Sequence, residues 1–165
     1  MYWPERLLHI PTFTSHQRYG VNTYGTANMV SKPLYATLSY TWGRFVEPGG
    51  TSLPVGGTTW TPPSVDTSHF TVPQLQMVLS NIGLLTGFEY IWLDIACVDT
   101  DQRPMRLNPE IGRQREIFSQ ASTGFVWLCK TSGSRLCDLL QSLYVCCVRA
   151  QQKKFEDILY ISDVC

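Results

Sequence analysis

Three acids carry most of the chemistry this chain offers. Asp94 ends the apolar run that starts at Tyr90, Asp99 stands two residues after Cys97, and Glu110 precedes Gln114 by four positions. A carboxylate at the end of an apolar strand must be paired, hydrogen-bonded or turned to a polar cleft, because burying it bare costs several kcal/mol. Asp94 therefore either binds a ligand or accepts backbone N–H groups and fixes a loop. Glu110 has two readings of the same kind. It stands in the first turn of a helix that Asn108 caps and Pro109 begins, where the dipole stabilises an acid by about 0.3–1 kcal/mol. It also shares a face with Gln114 beside the apolar stripe Ile111 and Phe118, which suits the edge of a cleft. Glu116 falls on the solvated side.

These residues must be held by elements, and the spacing of apolar positions indicates which. Tyr90–Ala96 is nearly devoid of polar side chains before Asp94, as in a central strand covered on both faces. Phe125–Cys129 is a second such strand. Tyr35–Tyr40 alternates, with Leu34, Ala36, Leu38 and Tyr40 on one face and Tyr35, Thr37 and Ser39 on the other, and runs into Thr41, Trp42 and Gly43. Gly43 frees the backbone to turn, which places Tyr40 and Trp42 at a strand's carboxyl end, where open α/β sheets hold ligands. Trp42 either lines that crevice or plugs the end of the core. Between these strands, Thr71 and Gln74 form a capping box with Pro73 in the first turn. Leu75, Val78, Leu79, Ile82 and Leu85 then give one apolar stripe, and Gly87 stops the helix.

The remaining segments are less constrained. Arg6–Phe13 reads as a short strand, with Pro11 marking its end or an edge position, and 14–32 reads as loop. His9, between Leu8 and Ile10, is more readily a structural imidazole than a base. Gly56-Gly57 within Leu53–Trp60 signals a hairpin, expected as a surface flap. Ser134 caps a further helix bearing Leu136, Leu139, Leu140, Leu143, Tyr144 and Cys147 on one side. The expected organisation is one α/β domain over 6–129, with a C-terminal helix and a shortened tail over 130–165.

Composition excludes several classes. The 165 residues hold 13 lysines and arginines against 13 aspartates and glutamates, so no global charge concentrates nucleic acid. Neither a secretory signal nor a run of about 20 apolar residues is visible. The six cysteines match neither a zinc CxxC pair nor a disulfide ladder, so reduced cysteines in an intracellular protein are expected. No G-x-G-x-x-G follows a strand, no P-loop is present, and no metal-ligand spacing occurs. A Cys–His hydrolase would need Cys97 beside His9 or His69.

Three blocks, YATLSYTWGRF, YIWLDIACVD and EIGRQREIFSQASTGFVWL, resemble in order those of the fungal heterokaryon-incompatibility (HET) domain. RLLHIPTFTS, NTYG and HFTVPQL are similar too, so the resemblance runs from about Arg6 to Leu128. The second block departs from the usual C-I-x-Q, with Thr100 after Cys97-Val98-Asp99 and a glutamine only at Gln102. The resemblance implies an intracellular, cytoplasmic module of non-self recognition that triggers programmed cell death through protein partners and self-association. It implies a flavodoxin- or TIR-like, mostly parallel sheet flanked by helices, with a β-hairpin-like insertion. Some TIR relatives cleave the nicotinamide–ribose bond of NAD with one glutamate, so NAD is implied as a substrate and no tightly bound cofactor is expected. Carried over by block, the acids fall on Glu110 and Asp94 and the tryptophan on Trp42; Glu110 is the candidate catalytic acid, and Tyr40, Trp42, Gly43, Asp94, Cys97, Asp99 and Gln114 are the candidate ligand-binding residues. A non-catalytic interaction module and a degenerate, truncated paralogue are the alternatives.

Overall fold

The computed structural model describes residues 3–25, 29–40, 50–99, 109–129, 131, 134–138, 141 and 158–161, the last four as backbone alone. Its centre is a mixed six-stranded sheet in the order β10-β9-β5-β8-β1-β2. Those strands are β1 (Arg6–His9), β2 (Thr14–Gln17), β5 (Tyr35–Ser39), β8 (Tyr90–Trp92), β9 (Thr123–Trp127) and β10 (Ile158–Ile161). The four strands β10, β9, β5 and β8 run parallel, whereas β1 pairs antiparallel with both β8 and β2. The chain is thus an α/β protein, but the sheet expected to be mostly parallel carries an antiparallel edge.

Parallel neighbours need crossovers, and two of them run through the described helices. Helix α1 (Val72–Thr86) joins β5 to β8. Three short helices, α2 (Asp94–Cys97), α3 (Pro109–Gly112) and α4 (Gln114–Gln120), lie between β8 and β9, and β9 returns to the far side of β5. The α1 capping box forms as expected: Thr71 N–H donates to Gln74 Oε1 at 2.7 Å, and Gln74 N–H to Thr71 Oγ1 at 3.4 Å. Gly87 ends the helix with φ 71°. Leu75, Val78, Leu79 and Ile82 are buried, but Leu85, expected on the same stripe, is 72% exposed. It lies in the last turn, next to the Gly87 cap.

Four further expectations change. The strand foreseen over Tyr90–Ala96 ends at Trp92, and Asp94–Cys97 turns into α2, with Val98 N–H closing on the Asp94 carbonyl at 2.9 Å. Apart from Asp94 the run is apolar, and apolarity alone does not separate a buried strand from a buried helical turn. The segment 14–32, read as loop, contains β2 and the small pair β3 (Thr23–Tyr24) and β4 (Val30–Ser31). Pairing with β1 overrides the polar composition of TSHQ, and Ser15 is buried. Leu53–Trp60 is not a surface flap. The pairing strands are β6 (Thr51–Ser52) and β7 (Ser64–Val65), and Leu53, Val55 and Trp60 are buried. Arg6 holds this segment down: it donates to Ser15 Oγ at 2.9 Å, to the Ser15 carbonyl at 2.7 Å and to the Gly57 carbonyl, and lies 5.0 Å over the Trp60 ring. Finally, α3 and α4 are separate helices broken at Arg113, and Phe118, expected inward, is 38% exposed.

The core sits where these layers meet. Tyr35, Ala36, Thr37 and Leu38 of β5 and all three residues of β8 are buried, as strands covered on both faces require, whereas Leu34, expected on the face of Ala36 and Leu38, precedes the strand and is 63% exposed.

Candidate functional site

β5 leaves toward α1 and β8, while β9 comes back on β5's other side, so the strand order reverses at β5 and β9. The carboxyl ends of these strands are where an open α/β sheet forms its ligand crevice. Tyr40 follows β5 directly, Trp127 ends β9, and Asp94 lies two residues beyond β8. The Tyr40 hydroxyl donates to Asp94 Oδ1 at 3.1 Å, and the same oxygen accepts the Ile95 N–H at 2.8 Å. Burial, followed by the Asp94 charge, pushes the Tyr40 phenol well above its usual range, so it stays a proton donor at neutral pH. Phe70 and Trp127, 4.8 Å apart between centroids, form an aromatic floor, with Tyr40 edge-on to Phe70 at 5.9 Å. Tyr40 and Asp94 are part-exposed above this buried floor.

Glu110 has a different setting. It is 1% exposed. Its two oxygens accept the backbone N–H of Glu5 at 3.0 and 3.2 Å, and Oε1 also faces Trp92 Nε1 at 3.4 Å. Tyr24 and Tyr35 stand near enough for the Glu110 charge to add to the effect of burial in raising both phenols. Their hydroxyls donate to the Pro4 and Ile117 carbonyls. Arg18 holds the adjoining segment, its backbone N–H on the Glu5 carbonyl and Nη1 on the Trp3 carbonyl, each at 2.8 Å. Glu110 is built into the seam between α3 and the N-terminal segment.

Cys97 is buried, and burial pushes its thiol up to about 12 despite the Leu93 N–H at 3.5 Å. It is the wrong state for a nucleophile, and the rings of His9 and His69 engage Thr12 and Glu89, and Asp66, respectively. Asp99 is part-buried and its charge reaches Arg6, while Gln114 is part-buried at the start of α4. Trp42, Gly43 and the Asn108 cap lie outside the described residues. The fold thus joins Tyr40 to Asp94, and places Glu110 with Glu5 and Trp92. Phe70 and Trp127 were not singled out as site residues from the sequence. The signal available was position: each borders the carboxyl edge, one before the α1 cap and the other at the end of β9. Among the described residues no group of three histidines, cysteines or acids could hold a metal ion, and no helix is long and apolar enough to cross a membrane.

Fold and site define an α/β domain with a phenol–carboxylate pair at its topological switch point. The chain matches the family model described as Heterokaryon incompatibility protein (HET) over residues 35–159, and it belongs to that family. The match starts at β5, so the segment that supplies Glu5, β1 and β2 precedes it, and it extends past Leu128, where the three sequence blocks end. No curated protein and no solved structure matches the chain.

Proposed function

We propose that this HET-family chain is a signalling module of non-self recognition, TIR-like in its parallel strands, that triggers programmed cell death and takes NAD at the carboxyl edge of its sheet. The observation that carries the ligand reading is the Tyr40–Asp94 pair, 3.1 Å apart at the ends of β5 and β8. An acid at such a position is the group that accepts ribose hydroxyls in dinucleotide sites, and the aromatic floor beneath it suits a nucleoside. Asp94 holds the ribose in this reading. Cleavage of the nicotinamide–ribose bond would draw on a carboxylate to stabilise oxocarbenium-like charge, the role that the family resemblance gives to Glu110. The module works in the cytoplasm through protein partners, copies of itself included.

A second reading has its own support. Glu110 is buried with both oxygens on the Glu5 N–H, which favours a structural acid and a module that signals by interaction alone. One experiment separates the two. Purified protein is incubated with NAD under crowding and nicotinamide release is followed, alongside toxicity on expression in cells. Release by the wild type and loss of both release and toxicity in Glu110→Ala are expected for the hydrolase. No release, with toxicity that survives Glu110→Ala, eliminates it in favour of the interaction module.

A further inference from the structure

The acid to which the family resemblance gives the chemistry is covered by a short stretch of backbone. Glu110 is buried, and both its oxygens accept the Glu5 N–H, at 3.0 and 3.2 Å. In that setting the carboxylate reaches no substrate. Trp3, Pro4 and Glu5 lead the chain into β1. Because β1 runs antiparallel to β8, its entry lies beside the carboxyl ends of the parallel strands. This is the edge that carries Tyr40 and Asp94.

The segment is held differently from the strand it leads into. Strand β1 pairs with β2 from Arg6 and Gln17 onward, and Leu7 and Leu8 are fully buried. Upstream of Arg6 the contacts come from side chains. The Tyr24 hydroxyl donates to the Pro4 carbonyl, and Arg18 Nη1 to the Trp3 carbonyl at 2.8 Å. The Trp3 ring is part-buried, 5.6 Å from the Tyr35 ring and 6.4 Å from that of Tyr24. The Arg18 N–H on the Glu5 carbonyl, at 2.8 Å, marks where the chain becomes fixed to the sheet. Everything before that carbonyl can lift while the strand pairs stay made. The segment also precedes Tyr35, where the family match starts, so it is no part of the matched domain. We propose that Trp3–Glu5 is an inhibitory strap. Closed, it withholds Glu110 from NAD; peeled back to Arg6, it opens the acid toward the carboxyl edge. Release also takes away the N–H that both oxygens accept, which frees their charge for an oxocarbenium-like transition state. Turnover then scales with the fraction of molecules whose strap is open.

The proposal rests on the hydrolase reading of Glu110, but its test follows the exposure of the acid, so the two fail separately. Whole protein is treated under native conditions with a carbodiimide and glycine ethyl ester, and the modified carboxyls are mapped by mass spectrometry. In wild type the exposed Glu116 is expected to be labelled and Glu110 to be protected. Trp3→Ala removes the ring of the strap and Glu5→Pro its N–H. Each is expected to speed labelling of Glu110 at least about tenfold, with an unchanged circular dichroism spectrum, and to raise nicotinamide release. Hydrogen exchange reads the same hinge in wild type. The Glu5 amide is expected to exchange at least about tenfold faster than that of Ile10, which is paired with the Glu89 carbonyl at 2.8 Å. The strap is overturned if wild-type Glu110 is labelled as fast as Glu116, or stays protected in both folded variants. It is equally overturned if the Glu5 amide exchanges only together with Ile10, or if variants with an uncovered Glu110 release nicotinamide no faster than an active wild type. An uncovered Glu110 with no release from any of the proteins shows that the segment covers the acid and removes the hydrolase reading instead.

Discussion

The Glu110 carboxylate reaches across 105 residues of sequence to accept the backbone N–H of Glu5. This contact ties the head of the α3–α4 crossover to the segment entering β1, and Trp92 of β8 closes it from the side. Removal of the acid leaves a part-buried N–H without its carboxylate partner, which costs up to about 1–3 kcal/mol. Glu110→Ala should lower the unfolding free energy from urea titration by that amount, while Glu110→Gln, which keeps one acceptor oxygen, should lose less. Equal stability of Glu110→Ala and wild type would show that the contact contributes nothing.

Cys97 should be inert in the folded protein. With its thiol at about 12, the thiolate fraction at pH 7 is on the order of one in 10⁵, and the sulfur is buried. Iodoacetamide followed by mass mapping should label exposed Cys137 in the native state and Cys97 only after denaturation. Rapid native labelling of Cys97 would reopen a cysteine nucleophile.

Acid should weaken the β1–β2 edge through His16. Burial, then the neighbouring His9 and Arg6, holds its imidazole below the ordinary 6.5. Its ring lies 5.4 Å from that of His9 and 6.0 Å from that of Tyr90, and His9 Nε2 is 4.0 Å from Glu89. The unfolded chain binds the proton more tightly, so this stability is full above 6.5 and is lost as the pH falls from there toward the lowered native value. Urea midpoints between about pH 7.5 and about pH 5.5 should fall for wild type and fall less for His16→Gln. Identical slopes would refute the assignment.

The strand pairing foreseen least well rests on one glycine. Gly57 has φ 74°, and a Cβ there would meet the Ser15 carbonyl at 2.6 Å. Gly57→Ala should cost more than about 1 kcal/mol, against a smaller loss for Gly20→Ala, where φ is 49° but nothing lies within 4 Å. Equal Tm losses in the two variants would mean that the close approach of Gly57 to β2 is not needed.

What the sequence revealed follows from which physics was local. The α1 caps, its stripe and the buried β5, β8 and β9 were legible because periodicity and capping are short-range signals, and Asp94 stood out as an acid in an apolar run. The break of β8 into α2 was hidden, since the residues around Asp94 from Leu93 to Val98 are apolar in a strand or a helical turn alike. Strand β2 was hidden because TSHQ forms a strand only when β1 lies beside it. For the site, Tyr40 and Asp94 could be named but not their mutual bond, which depends on β5 and β8 lying side by side in register. The burial of Glu110 was least accessible of all, because its partner, the Glu5 N–H, is a backbone group far upstream.

The carboxyl-edge site is tested most directly by NAD binding, measured by isothermal titration calorimetry on wild type and Asp94→Asn. The wild type should bind, and Asp94→Asn should bind at least about tenfold more weakly, with an unchanged fold by circular dichroism. No NAD binding by wild type, or equal affinity of the two proteins, would contradict the site.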